Sequence, residues 1–430
     1  MSKVKRIKST LQEFSLPLIF GVVAGLVVAN LDSSLYQHLI HYAPLGEGAS
    51  LLGHKVTLHF LINDLFMVLF FGIAAKEITE SVLPGGALNP PSKAINPLLG
   101  TLGGVIGPIV CFLLFASLFL SEGVSDVGAA ITSALTPGVV VDPSSPDVIF
   151  RGWGIPTATD IALAWLVAKI VFGQGHPAVG FLLLLAVADD AIGLGIIAVF
   201  YPDPTHPPAP EWLLMVLAGM GASYAFRRMK VQSWTAYIFV GGLLSWVGLL
   251  NAHLHPALAL VPIIPFLPGP ERDLGLYAEA EEHDHSTPLS PLQEFEHQLK
   301  VFVDFGLFFF AFANAGVELS SVGPITWVVL ASLLVGKTIG VSLFALTGAA
   351  MGFPLPDGMR VKHLLVAGVV AGLGLTVALF VTGEAYPEGP NVAGALQGPA
   401  KMGAVFSAGA GVVAIALGRL LRVHKRHDAA

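Results

Sequence analysis

The stretch FLLLLAVADDAIGLGIIAVFY, residues 181–201, places two adjacent carboxylates at the centre of an apolar run. A membrane-spanning α-helix needs about 20 mostly apolar residues, and this run meets that length. Asp189 and Asp190 are its only charged residues. Because charges inside a bilayer are costly, ionisable side chains there mark functional sites by default. The stretch therefore predicts a membrane helix with a functional acidic centre.

The composition of the whole chain is that of a polytopic membrane protein. Its 430 residues are 54% hydrophobic and 12% charged, whereas soluble domains carry about 25% charged residues. Apolar runs long enough to cross a bilayer follow one another along the chain. They predict an all-α fold with twelve transmembrane helices, which begin near residues 14, 57, 96, 154, 177, 211, 234, 252, 298, 325, 362 and 401.

The basic residues predict the orientation of these spans, since cytoplasmic loops are enriched in Lys and Arg. With twelve spans, one side of the membrane receives Lys3, Lys5, Arg6, Lys8, Lys93, Arg227, Arg228, Lys230, Arg360, Lys362, Arg419, Arg422, Lys425 and Arg426. Only Lys55, Arg151 and Lys401 lie near span ends on the other side. Both termini are therefore predicted to be cytoplasmic.

The chain is predicted to form a single transmembrane domain over residues 1–430, with cytoplasmic tails at 1–13 and 423–430. The first apolar run is expected to be a retained helix rather than a cleaved signal, because no small-residue cleavage site follows it. Residues 268–298 are expected to form an acidic cytoplasmic loop. The carboxylates of such a loop raise the local concentration of cations.

Charge and cysteine content exclude several function classes. The formal net charge of −7 argues against a nucleic-acid partner. The single cysteine, Cys111, has no second cysteine with which to form an intrachain disulfide, and this argues against redox chemistry. We expect no cofactor, and we expect membrane lipid as the surrounding partner.

Ionisable residues within the predicted spans are the main functional signal. They are Asp64, Asp160, Asp189, Asp190 and Lys337. The alternative to a functional role is a structural ion pair between Lys337 and one aspartate, and this alternative stays open for the lysine. One base cannot pair with four acids, however. Some of these carboxylates must be protonated, bind a cation or face water, because an unpaired buried charge is otherwise neutralised.

The spacing of Asp189 and Asp190 separates their side chains. Neighbours on an α-helix point about 100° apart, so the two carboxylates do not share a face. One can face a water-filled cavity while the other faces a neighbouring helix. A site of this kind holds protons or a small hard cation, and the two compete for it.

Two predicted spans carry signals of interrupted helices. Gly152, Gly154 and Pro156 precede Thr159 and Asp160 in the fourth span. In the eleventh span, Gly368, Gly372 and Gly374 occupy a comparable central position. Interruptions in corresponding spans of the two halves point to the midplane site of a transporter, although glycine also serves helix packing.

The ordered set of motifs resembles the NhaA-type sodium/proton antiporters of bacterial inner membranes. The resemblance rests on FLINDLFMVLFF, RGWGIPTATDIALA, LAVADDAIGLGIIAVFY, FAFANAGVEL and VGKTIGVSLF, and it extends over nearly the whole chain. It implies inverted repeats with discontinuous fourth and eleventh helices. It also implies a bacterial inner-membrane location and, by analogy, a homodimer.

The resemblance assigns roles to individual residues. Asp189 and Asp190 would carry the proton and, with Thr159, would bind Na+. Thr159 and Asp160 would mark the crossing of the broken helices, where Lys337 would offset the facing dipole ends and pair with Asp189. Asp64 would belong to the supporting site.

Glu77, Glu296 and His297 match positions that the family associates with cytoplasmic pH response. Here the chain departs from the family, because it reads KEITES around Glu77 and has Lys300 where a second histidine is common. The pH profile therefore stays open.

The function implied is exchange of cytoplasmic Na+, or Li+, for external protons by alternating access, electrogenic and regulated by pH. Two alternatives stay open: a Na+-coupled carrier of an organic solute, and a protein that keeps the fold but has lost transport. The chain is not expected to be an enzyme. An intramembrane aspartyl protease would need its acids on two facing helices, whereas Asp189 and Asp190 are adjacent on one.

Overall fold

The computed structural model describes residues 16–46, 48–51, 54–84, 86, 91–120, 146–173, 175–201, 209–270, 289–389 and 392–423. The first helices are α1 (Leu16–Leu31), α2 (Ser33–Ile40), α3 (Leu58–Ser81), α4 (Pro91–Leu120), α5 (Val148–Thr157), α6 (Ile161–Phe172) and α7 (Pro177–Phe200). They are followed by α8 (Leu213–Arg228), α9 (Trp234–Asn251), α10 (Pro291–Ala315), α11 (Pro324–Ala350), α12 (Val361–Ala371), α13 (Leu375–Ala385) and α14 (Val392–Leu420). A short antiparallel hairpin pairs β1 (Ser50–Leu51) with β2 (His54–Lys55).

The helices confirm the prediction of an all-α polytopic membrane protein. Within the described residues, seven uninterrupted helices are long and apolar enough to cross a bilayer. Two further spans consist of bent pairs, α5 with α6 at 48° and α12 with α13 at 49°. These pairs are the predicted fourth and eleventh spans, so both predicted interruptions are confirmed.

The eighth predicted span is not an α-helix. Between α9 and Pro270 the backbone forms turns and two 3-10 helices, Pro256–Leu258 and Ile264–Phe266. Its hydrogen bonds run mainly between residues three apart, as from Val261 N–H to the Leu258 carbonyl at 3.0 Å. Pro262 and Pro265 lack the N–H groups that an α-helix needs there.

The ninth span begins earlier than the sequence predicted. Ser290 accepts the Gln293 N–H, and the Gln293 side chain accepts the Ser290 N–H, a capping box that starts α10. Residues 291–298 therefore belong to the helix and not to the predicted acidic loop. Residues 271–288 of that loop, residues 1–13, and residues 424–430 of the predicted C-terminal tail lie outside the described residues.

The outer helices present large apolar side chains to their surroundings. Leu214 and Leu217 of α8 are 68% and 59% exposed, and Phe239 of α9 is 69% exposed. In water such a surface would be costly, whereas acyl chains solvate it without penalty. By contrast, α7 holds Asp189 and Asp190 among helices on every side, and both residues are buried.

Glycines bring α4 and α11 into backbone contact. A Cβ at Gly103 would overlap the Gly340 carbonyl oxygen, and a Cβ at Gly340 would overlap the Gly103 carbonyl oxygen. Gly107 meets the Gly336 carbonyl in the same way. Both helices thus carry small residues four apart, an arrangement that lets membrane helices approach closely. The contact fixes the depth and rotation of α11 at Lys337.

Substitution of Gly340 by Ala should destabilise the protein, because the added methyl group meets backbone that cannot move aside. Overpacking of this kind costs about 1–3 kcal/mol. We expect a lower midpoint of thermal unfolding in detergent.

Gly180→Ala on α7 is the matched control, since nothing lies within 4 Å of a Cβ at Gly180. Equal melting temperatures for the two variants would contradict the contact.

Candidate ion-binding site

The two broken spans cross at their interruptions. The Asp160 N–H, between α5 and α6, donates to the Leu373 carbonyl, between α12 and α13, at 2.6 Å. A Cβ at Gly374 would lie 3.3 Å from the Ala158 carbonyl oxygen. Non-helical backbone at membrane depth is tolerated only where its polar groups find protein or water partners. Here each break supplies a partner for the other.

The carboxylate of Asp160 caps two helices. Its Oδ1 accepts the Leu163 N–H at 3.0 Å, which caps α6, and its Oδ2 accepts the Thr376 N–H at 3.3 Å in the first turn of α13. Helix N-termini carry a partial positive charge. One buried carboxylate therefore stabilises both N-termini at the crossing.

Lys337 joins the crossing to α7. Its Nζ donates to Asp189 Oδ2 at 2.5 Å and to Thr159 Oγ1 at 2.6 Å. The Thr159 hydroxyl lies 2.8 Å from Asp189 Oδ2 and 3.0 Å from the Ala371 carbonyl at the end of α12. Lys337 and Asp189 are fully buried, and Thr159 is 1% exposed. The buried ammonium and carboxylate thus neutralise each other.

The backbone of α11 changes its winding directly before Lys337. Ser332–Gly336 forms a π-helical turn, and the α-helix resumes at Lys337. Such turns insert an extra residue into the helix and often occur at functional sites. The inserted residue rotates Lys337 relative to the preceding turns. This feature could not be read from the apolar pattern of the sequence.

Asp190 lies apart from this ion pair, as the helical geometry predicted. It is 7% exposed, and its buried Oδ1 has no hydrogen-bond partner in the described structure. Asp189 Oδ1, which faces away from Lys337, likewise has none. The cluster therefore offers carboxylate oxygens that no described donor satisfies. Oxygen ligands of this kind suit a hard cation, and the same oxygens accept protons.

Asp64 is not part of this cluster. It lies in a π-helical turn, Leu61–Phe66, of α3, and its backbone carbonyl accepts the indole N–H of Trp246 at 2.9 Å. Its side chain lines a cavity together with His255 and Glu384. The sequence grouped Asp64 with the supporting site. No hydrogen bond or ion pair among the described residues joins it to Asp189 or Lys337, and its supporting role stays a prediction.

Glu77 and Glu296 meet at the other end of α3. Lys76, 1% exposed, lies 3.7 Å from Glu77 and 2.7 Å from Glu80, and it donates a hydrogen bond to Glu296. Lys300 donates to the other oxygen of Glu296 at 2.6 Å. We call Lys76, Glu77, Glu80, Glu296 and Lys300 the α3–α10 charge cluster.

Lys76, the centre of this cluster, was not among the predicted site residues. In the sequence it stood out only as a departure from the family pattern, although Lys76 and Glu80 have the four-residue spacing of a helical ion pair. His297, by contrast, is exposed on α10. The structure therefore brings Glu77 and Glu296 together and leaves His297 at the surface.

Replacement of Lys337 by Met should destabilise the protein, because Asp189 would keep a buried charge without a counter-ion. Removing one partner of a buried ion pair costs about 3–5 kcal/mol. We expect the melting temperature in detergent to fall sharply.

The double variant Lys337→Met with Asp189→Asn should recover most of that loss, since it buries no charge. A double variant as unstable as Lys337→Met alone would argue against the pair as the cause.

Comparison with known proteins identifies the family. Residues 7–136 and 123–420 match the model of the family described as Na+/H+ antiporter 1. The chain is 55% identical over 415 residues to the Na(+)/H(+) antiporter NhaA of Geobacter metallireducens, which covers 96% of this chain and 98% of the relative. It is 53% identical over 429 residues to the NhaA of Desulfitobacterium hafniense, with 100% of this chain and 99% of the relative covered. The NhaA of Jannaschia sp. is 40% identical over 452 residues, with 98% and 99% covered. These matches confirm the resemblance seen in the motifs: the chain belongs to the Na+/H+ antiporter 1 family.

Proposed function

We propose that this protein exchanges cytoplasmic Na+, or Li+, for external protons. The observation that carries the proposal is the pair of buried carboxylates at the crossing of two broken helices. Lys337 neutralises Asp189, while Asp190 has a carboxylate oxygen with no described partner. Membership of a family whose relatives are named Na(+)/H(+) antiporters supports the same function.

A shared site explains why the two ions exchange rather than leak. Na+ needs the ionised carboxylates as ligands, and a proton bound to the same oxygens removes them. The site therefore carries either Na+ in one direction or protons in the other. Alternating access then requires only that the site open to one side at a time, with each ion shifting the balance through its differential affinity.

Each residue of the site has a proposed role. Asp190 and Asp189, with the hydroxyl of Thr159, bind Na+ and carry protons. Lys337 holds Asp189 while the site is empty, and its ammonium is released when Na+ binds. Asp160 keeps the broken helices together through its two caps. Asp64 belongs to the route between the site and one membrane face.

The distribution of basic residues supports cytoplasmic termini. The resemblance to NhaA-type antiporters of bacterial inner membranes supports a location in that membrane. In this orientation α7 enters the membrane from the cytoplasm, and α13 runs towards the outside. A homodimer, expected by analogy with the family, is part of the proposal, and the mass of the purified carrier in detergent tests it.

The test is sodium-driven proton movement in everted membrane vesicles. Addition of NaCl should collapse the ΔpH in vesicles with the wild-type protein, and Asp190→Asn should abolish the response because an amide neither carries the proton nor offers a carboxylate to Na+. The variant should melt close to the wild type, since no described group donates to the carboxylate oxygen Oδ1.

Absence of any wild-type response at neutral and alkaline pH would refute the proposal and favour Na+-coupled uptake of an organic solute. In proteoliposomes, an imposed membrane potential should change the exchange rate if more than one proton moves per Na+. A rate that ignores the potential would remove the electrogenic part of the proposal.

We assign the cytoplasmic pH response to Glu77 and Glu296 within the α3–α10 charge cluster, with the exposed His297 as a third participant. Lys76 is the buried cation that these carboxylates share with Glu80. Lys76 of α3 donates a hydrogen bond to Glu296 of α10, and this contact supports a role in coupling protonation to movement of the two helices.

Substitution of Lys76 by Met should move half-maximal exchange to more alkaline pH. Without the ammonium the carboxylates repel one another, and bound protons relieve that repulsion. Antiport measured over a range of pH checks this shift. Lys230→Met, the same change at an exposed cytoplasmic position, should leave the profile unaltered. An unshifted profile for Lys76→Met would remove the cluster from pH control.

A further inference from the structure

A second group of ionisable residues surrounds a cavity away from the aspartate pair. The cavity has a volume of about 270 Å³, and its lining includes Asp64, His255, Phe380, Glu384 and Lys401. Neither Asp189 nor Asp190 is part of the lining. The proposed topology puts the cavity on the external side, because it lies at the end of α13 and the start of α3.

A histidine of fixed tautomer orients one carboxylate of this cavity. His255 Nδ1 accepts the Ala257 N–H at 3.2 Å, so the ring hydrogen is on Nε2. Nε2 in turn donates to Glu384 Oε1 at 3.1 Å. The His255 side chain is 7% exposed, whereas that of Glu384 is 29% exposed. The histidine is thus buried behind a carboxylate that faces the cavity.

Aromatic rings close the cavity beneath this pair. The Phe380 ring lies 4.6 Å from the His255 ring and 5.1 Å from the Phe71 ring, measured between centroids. Phe310 lies 6.5 Å from Phe380 on a third side. All three phenylalanines are 2% exposed or less. They form a buried apolar cluster, here called the Phe380 barrier, which offers no polar group to a hydrated ion.

The register of α13 aligns the barrier with the ion-binding site. Thr376, Phe380 and Glu384 are four residues apart, so they lie along one face of the helix. The Thr376 N–H donates to Asp160 at the crossing. At 1.5 Å per residue, Glu384 lies about 12 Å along the axis from Thr376. One helix face therefore leads from the crossing, past the barrier, to the cavity.

The remaining charged groups of the cavity leave it rich in carboxylates. The lining also contains the carboxylates of Asp64 and Glu388, the ammonium of Lys401, the phenol of Tyr201, and the further histidines His54, His59 and His253. Glu388 is also engaged by His41 at 3.3 Å near the rim. Clefts lined by one sign of charge raise the local concentration of counter-ions. Glu384 is the carboxylate that lies directly over the aromatic barrier.

We propose that Glu384, positioned by His255, is the external relay carboxylate of the ion route, through which cations pass between the outside and the aspartate pair when the Phe380 barrier opens. The inference rests on the proposed exchange function. It adds a residue outside the ion-binding site whose effect is confined to one membrane face.

Side-specific kinetics test this assignment. Antiport is measured with Na+ varied at the cytoplasmic face in everted vesicles and at the external face in right-side-out vesicles. For Glu384→Gln we expect the external KM for Na+ to rise roughly tenfold, the lower end of the effect of charge-lined clefts. The cytoplasmic KM should stay within experimental error of the wild type.

Three further variants separate a relay role from a structural role. His255→Phe should raise the external KM less than Glu384→Gln, and the double variant should match Glu384→Gln, because His255 acts only through that carboxylate. Glu318→Gln is the charge-matched control, since Glu318 is predicted to be external and is absent from the lining of this cavity; it lines a neighbouring cavity that shares Glu388 and Lys401. Its external KM should equal that of the wild type.

The outcomes distinguish the inference from the function on which it rests. An inactive wild type refutes the proposed exchange and the relay with it. An active wild type with an unchanged external KM in Glu384→Gln refutes the relay alone. Equal changes of KM at both faces, or in Glu318→Gln as well, would also refute it, because they would indicate a structural or a general surface-charge effect.

Discussion

The structure depends on one constraint of the bilayer: a broken helix cannot leave its backbone groups without partners. The two breaks satisfy this constraint together, because Asp160 accepts N–H groups from α6 and α13 and donates its own N–H to the Leu373 carbonyl. The Thr159 hydroxyl contacts the Ala371 carbonyl at the end of α12. Each break alone would be unstable, whereas together they form a defined crossing. The crossing also brings the polar atoms of both breaks to one place, beside the candidate ion-binding site.

Acidic side chains outnumber basic ones at this crossing. Lys337 satisfies one oxygen of Asp189, and no described donor satisfies the buried Oδ1 atoms of Asp189 and Asp190. A fully paired cluster would stabilise the fold and bind nothing further. An unpaired buried carboxylate instead retains affinity for a proton or a cation. The feature that costs stability is therefore the one to which we assign ion binding, and the close contact of α4 with α11 at Gly103 and Gly340 holds Lys337 beside it.

Departures from α-helical winding recur wherever the chain positions a chemically important group. A π-helical turn precedes Lys337, another contains Asp64, and the segment after His255 is wound with bonds mainly three residues apart. Each departure turns a side chain away from the direction that a regular helix would give it. The Asp189–Lys337 pair and the cavity lined by Asp64 and Glu384 are therefore separate groups, although both contain acidic residues of the membrane spans.

The sequence by itself determined the membrane class, the interrupted fourth and eleventh spans, and the family, because hydropathy, glycine and proline positions and motif order are local properties. It also predicted that Asp189 and Asp190 point in different directions, which follows from helical geometry alone. The resemblance also named Asp189 as the partner of Lys337. Only the tertiary structure decided the further contacts: that Lys337 also donates to Thr159, that Asp64 lines a cavity with Glu384, and that Lys76 is surrounded by carboxylates. Contacts between helices depend on their rotation and depth, and the π turns and glycine contacts that set these are not specified by the periodicity of one helix.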